Sequence, residues 1–145
     1  MDPIADLVHS YADAVCRFDP DQWAANWTDD AEWDMGQGAV NGPAVAETWN
    51  SVMATMTAVV HLIHNGTSEL DLEAGAGTGR WYITEQLRMG DGADATLVGW
   101  YDDTYRLVDG RWRFARRVLQ PLYMGPPDFS GVYIADFSEG PRPLG

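Results

Sequence analysis

At 145 residues the chain is long enough for one domain with a sizeable core, and 46% hydrophobic content supports that reading. Nine basic against 22 acidic residues give a formal net charge of −13, which repels phosphate backbones and anionic membrane surfaces and argues against nucleic-acid or lipid partners. Cys16 is the single cysteine, which excludes an intrachain disulfide; its place near the apolar stripe of a first helix predicts a buried, inert thiol.

The N-terminus carries no basic segment followed by a continuous apolar stretch, and no run approaches the roughly 20 residues that span a bilayer. The expectation is a cytoplasmic protein. Asp2 as cap and Pro3 at the first helical position open a helix in which Ile4, Leu7, Val8, Tyr11, Val15 and Phe18 recur at helical spacing, ending near Phe18. Asp19-Pro20-Asp21-Gln22 then reads as a second, short helix start leading into Trp23, Ala24 and Trp27. After an extended stretch over residues 31–35, Gly42-Pro43 opens a third helix carrying Val45, Trp49, Val52 and Met53, which fades by Thr57.

From Ala58 the texture changes to strands: residues 58–64, 68–72, 79–89, 96–108 and 111–123, punctuated by Asn65-Gly66, Gly75 to Gly77, Gly90 to Gly92 and Asp109-Gly110. Three helices followed by long, mostly antiparallel strands predict an α+β fold: a curled, cone-shaped sheet closed by the helices, with a pocket inside. One domain over residues 1–134 follows, with a mobile tail over 135–145, where Gly and Pro concentrate.

Side chains two apart on a strand share a face. That parity groups Val60, Leu62 and His64, and sets Trp81, Ile83, Glu85, Leu87 and Met89 against the more polar Arg80, Tyr82, Thr84, Gln86 and Arg88, so the first of these two faces is expected inward. Between Leu97-Gly99-Tyr101-Asp103 and Val98-Trp100-Asp102, hydrophobicity leaves the choice open.

Asp19, just past the first helix, and His64, ending the apolar run 58–64, are the residues best suited to acid–base chemistry. A carboxylate that orients an imidazole makes a general base near neutral pH, a group that contributes about 10²- to 10⁴-fold in rate. Each has a plainer reading: Asp19 as a helix cap contributing about 1 kcal/mol, His64 as a satisfied structural histidine. His61 has the opposite parity and is assigned to the outer face or a subunit contact. Gly75, Gly77 and Gly79 lack the lysine and following helix of a phosphate loop. Asp29, Asp30 and Glu32 lack a histidine partner and read as a solvated loop, so no metal is expected.

Taken in order, the late aspartate of the first helix, Thr28-Asp29-Asp30-Ala31-Glu32-Trp33, His61-Leu62-Ile63-His64-Asn65-Gly66-Thr67, Thr78-Gly79-Arg80-Trp81-Tyr82 and Asp109-Gly110-Arg111-Trp112-Arg113-Phe114 resemble the SnoaL-like branch of the nuclear transport factor 2-like superfamily. The resemblance covers about residues 3–124 and is strongest to its lyases: hexachlorocyclohexane dehydrochlorinase, bile acid 7α-dehydratase and, more distantly, scytalone dehydratase. It implies an α+β cone in which the aspartate after the first helix holds a catalytic histidine, at positions matching Asp19 and His64. It further implies that Trp33 helps hold a leaving group and that Arg117 acts from the last strand; alternation turns only one of Arg116 and Arg117 inward, and Arg117 is preferred. Trp81, Ile83, Leu97 and Tyr101 match the pocket wall, joined by Leu62 on the parity above. The bile acid dehydratase has a catalytic tyrosine where this chain has Ala14, with Tyr11 one turn earlier.

The function this implies is cofactor-independent elimination of water or HX from a small hydrophobic molecule, such as a steroid, polyketide, terpenoid or alicyclic compound. An isomerase or polyketide cyclase using the same proton abstraction, or a non-catalytic ligand carrier, are the alternatives. A homo-oligomer, dimer or trimer, is expected from the same relatives.

Overall fold

The computed structural model describes residues 2–133. Helix α1 (Pro3–Arg17) starts where Asp2 accepts the Ile4 N–H at 2.9 Å and stops at Phe18, whose left-handed backbone (φ 55°) turns the chain. Its stripe of Ile4, Leu7, Val8, Tyr11, Ala14 and Val15 is buried and packs chiefly on the third strand. Helix α2 (Pro20–Ala25) is capped by Asp19, whose carboxylate accepts the Gln22 N–H. A hairpin of β1 (Trp27–Asp34) and β2 (Ala39–Asn41) leads to α3 (Pro43–Met53), and the long strands β3 (Met56–Asp71), β4 (Ala76–Met89), β5 (Asp94–Val108) and β6 (Arg111–Gly125) follow, with a short β7 (Val132–Tyr133) on β6. The tail expected over 135–145 lies outside the described residues.

The strands form one curved sheet in the order β2-β1-β6-β5-β4-β3, not closed into a barrel, with β1 parallel to β6 and every other pairing antiparallel. The helices cover its concave side, and α1, α3 and the inward faces of β1 and β3–β6 enclose the core. No helix among the described residues is long and apolar enough to cross a membrane.

Two expectations about the strands change. Residues 58–64 and 68–72 are one strand, because Asn65-Gly66 forms an irregularity within the β3–β4 ladder instead of a turn. The inward parity of β3 is also opposite to that expected: Val59 and His61 are buried, whereas Val60 and Leu62 are 47% and 45% exposed. His61 pairs with Glu85 and Ile63 with Ile83 across the ladder. Directly opposed residues share a face, so once β4 turns Trp81, Ile83 and Glu85 inward, His61 must follow.

Gly66 serves this bulge by its small size. A Cβ there would lie 2.3 Å from the Trp81 ring and 2.7 Å from the Arg80 carbonyl oxygen. Gly66→Ala is therefore expected to destabilise the fold by about 1–3 kcal/mol, read as a lower midpoint in urea unfolding.

Candidate functional site

A cavity of about 480 Å³ opens inside the curve of the sheet. Helix α1 contributes Tyr11 and Val15, β1 Trp33, the turn after it Met35, α3 Trp49, Val52 and Met53, β3 Val59, β4 Glu85 and Leu87, β5 Leu97, and β6 Leu119 and Met124. Most of this wall is apolar. Apart from Gln37 and Thr48, its polar groups are the Tyr11 phenol, the Glu85 carboxylate and the indoles of Trp33 and Trp49; the Trp33 N–H has no partner among the described residues.

Behind Glu85 lies His61, its side chain fully buried, with Nδ1 2.5 Å from Oε1 of Glu85. The approach does not have the geometry of a hydrogen bond, and neither Nδ1 nor Nε2 has a hydrogen-bond partner among the described residues. The imidazole stacks parallel to Tyr101 (6.1 Å between centroids, 2°) and meets Tyr11 edge-on at 5.6 Å. Burial pushes the Tyr11 phenol above its ordinary value against the opposing pull of Arg117, and Glu85 adds to the rise. Tyr101 is driven well above its ordinary value, again mainly by burial. Both phenols are thus neutral hydrogen-bond donors across the physiological range.

Arg117 faces inward with no solvent exposure, while Arg116 faces out to Glu32. Its guanidinium grips Asp103 through two bonds of 2.8 and 3.0 Å and lies 3.8 Å over the Tyr101 ring, 4.1 Å over Phe114 and 4.4 Å over Tyr11. Asp103 also accepts from the Tyr105 hydroxyl, which in turn accepts the Trp81 indole N–H. Arg117 does not line the cavity: it holds the aromatic rings that do, or that back them.

The expected Asp19–His64 dyad is not assembled. His64 sits on the outer face of β3, exposed, with Nε2 2.7 Å from the Thr84 hydroxyl, and the Asp19 carboxylate is occupied by the Gln22 N–H and Arg17. Leu62 also points outward, so it leaves the pocket wall. Trp33 and Leu97 line the cavity, whereas Trp81, Ile83 and Tyr101 are core residues behind it. Cys16 is exposed instead of buried: its Sγ lies 3.2 Å from the His61 backbone N, as acceptor, at the free edge of β3. Tyr11, whose phenol the sequence leaves open as a catalytic hydroxyl, lies on the cavity wall; His61 and Glu85 are not expected as site residues from the sequence, although Glu85 carries a signal as the one charge on the otherwise apolar face Trp81-Ile83-Glu85-Leu87. Since His64 faces away, His64→Ala is expected to leave turnover within about twofold of wild type, while His61→Ala abolishes most of it; steady-state kinetics on the two variants reads this directly.

The sequence matches the SnoaL-like domain over residues 1–118. The chain belongs to the SnoaL-like family. That family includes small-molecule lyases and isomerases. Among solved structures, LinA is 26% identical, with 92% of each chain covered and a TM-score of 0.77. The hexachlorocyclohexane dehydrochlorinase LinA-type3 from Novosphingobium barchaimii is 22% identical with the same coverage and a TM-score of 0.76. A cystatin-like protein of unknown function from Nostoc punctiforme is 15% identical, with 88% of this chain and 92% of that one covered and a TM-score of 0.70. The last two show the fold alone. No curated protein matches the sequence.

Proposed function

We propose that this SnoaL-like protein is a cofactor-independent lyase that eliminates water or HX from a small hydrophobic substrate, with a His61–Glu85 pair in place of the Asp19–His64 dyad. The observation that carries this reading is the carboxylate–imidazole contact set beside a neutral phenol in an apolar cavity. Glu85 lines the cavity and is the group that meets the substrate; His61, wholly enclosed behind it, packs against the carboxylate and holds it in place. A proton passes from substrate carbon to Glu85, the C–H electrons form the new double bond, and the leaving group departs from the neighbouring carbon with its bonding pair. The Trp33 N–H and the Tyr11 hydroxyl are the donors available to that leaving group. The likeness to LinA at 26% identity supports elimination.

Neutral Tyr11 favours a second reading. A phenol donor opposite a carboxylate base also suits an enolate oxygen, and reprotonation at another carbon would make the protein an isomerase. Mass spectrometry in heavy water separates the two. Incubation with hydroxylated steroids, polyketides and halogenated alicyclics should give loss of water or HX with wild type and none with Glu85→Gln. Deuterium uptake without mass loss assigns the isomerase, and turnover unchanged in Glu85→Gln removes the pair from the mechanism.

A further inference from the structure

Resting on the reading of the cavity as the substrate site, we propose that a rim of methionines repacks around substrates of different outline, while the reacting end is held in a fixed setting. Among the described residues Met35, Met53, Met56 and Met124 line the cavity, four of the six methionines in the chain. They come from four separate segments, the turn after β1, the end of α3, the start of β3 and the end of β6, so each can change conformation without carrying the others. A methionine side chain is unbranched, turns about three bonds and ends in a polarisable thioether that packs on aliphatic and aromatic surfaces alike. The rest of the wall is built differently. Trp33, Trp49, Val59, Leu97 and Leu119 are only 3–5% exposed, and their ring or branched side chains interlock with the core. Met53 is also buried, but Met124 is 42% exposed, and Met35 and Met56 are partly buried against the core. Three of the four thioether side chains therefore have free space on one side, which a methionine filling a gap in a core does not have. The register sets these three away from the acid–base group. Met124 stands two strands from Glu85 along the row Glu85, Leu97, Met124. Met56 faces Met89, four residues along β4 from Glu85, and Met35 follows β1, three strands from β4 in the sheet. The consequence is breadth: the enzyme acts on a set of molecules that share one reacting group and differ in the skeleton behind it.

The test uses three alcohols of different outline, the globular 1-adamantanol, the flat decahydro-2-naphthol and the rod-shaped 4-cyclohexylcyclohexanol, titrated into the full chain by calorimetry. Wild type should bind all three within about tenfold of one another. Combining Met35→Leu, Met53→Leu, Met56→Leu and Met124→Leu keeps volume and apolarity but replaces each long thioether arm with a shorter, branched one, and should widen the spread to about 30-fold or more. Met56→Leu with Met124→Leu, confined to two partly exposed positions, should widen it in the same direction and serves where the fourfold variant does not fold. Methyl NMR of the methionine-labelled wild type keeps the two levels of the claim apart. The four rim methyls should shift on binding, with a different pattern for each alcohol. Binding that shifts none of them places the ligand elsewhere and overturns the reading of the cavity as the substrate site. Shifts of one pattern for all three alcohols, wild-type affinities more than about tenfold apart, or leucine variants that keep the wild-type spread overturn the adaptable rim alone. Failure of all three alcohols to bind also overturns it.

Discussion

Glu85→Gln should lower turnover by about 10²- to 10⁴-fold while leaving the fold intact. The amide keeps the volume and two-pronged shape of the carboxylate in a position that is 8% exposed, so cavity and packing survive. What it loses is the basicity that accepts a proton and the charge that faces His61 Nδ1. Unchanged circular dichroism and a melting temperature within a few degrees would separate lost chemistry from lost structure, and a turnover within tenfold of wild type would refute the assignment. His61→Gln should fall into the same range, and the double variant should be scarcely worse than either single one, because groups that act as a unit are not additive. Separate, multiplying losses would instead mean that the two residues serve different steps.

The architecture was readable from the sequence because several independent signals agreed. Asp2-Pro3 and Asp19-Pro20 marked two helix starts, the α1 stripe had helical period, and the glycine-bearing turns bounded three of the four long strands. The parity of β4 was equally plain, since Trp81, Ile83 and Leu87 alternate with charged and polar residues. Strand β3 offered no such contrast. Val59 and Val60, and Leu62 and Ile63, place aliphatic side chains on both faces, and the two histidines, three residues apart, have opposite parity. A change of parity by one residue, which exchanges His61 for His64, flips every side chain of the strand. The register to β4 is what decides it, and register is a long-range property that alternation within one strand does not contain. The aspartate at position 19 misled for a related reason: a carboxylate at a helix start is equally suited to capping, and capping is what it does. The carboxylate partner of the buried histidine comes from the neighbouring strand, directly across the ladder.

Arg117→Met should cost about 3–5 kcal/mol of stability, the largest structural effect of any single change proposed for this protein. Met fills most of the volume but leaves Asp103, fully enclosed, with no cation opposite it and only the Tyr105 hydroxyl as donor. Burial already holds the Asp103 carboxyl above its ordinary range, with Arg117 opposing that rise. Without the guanidinium the carboxyl moves further up. The sign of the pH dependence follows. A folded-state pKa above the unfolded value means stability that is complete below the unfolded value and lost as pH rises through the folded one. The deficit of Arg117→Met relative to wild type should therefore be largest near pH 8 and shrink on acidification toward about pH 5. Urea unfolding at the two pH values measures it. Adding Asp103→Leu should recover much of the loss, because removing both charges leaves no unpaired ion in the core. Activity should not return with it: the guanidinium lies over the rings of Tyr11 and Tyr101, and a stable double variant without turnover would show that Arg117 positions the phenols of the site as well as neutralising a buried acid. Full activity in the stable double variant would confine Arg117 to a structural role.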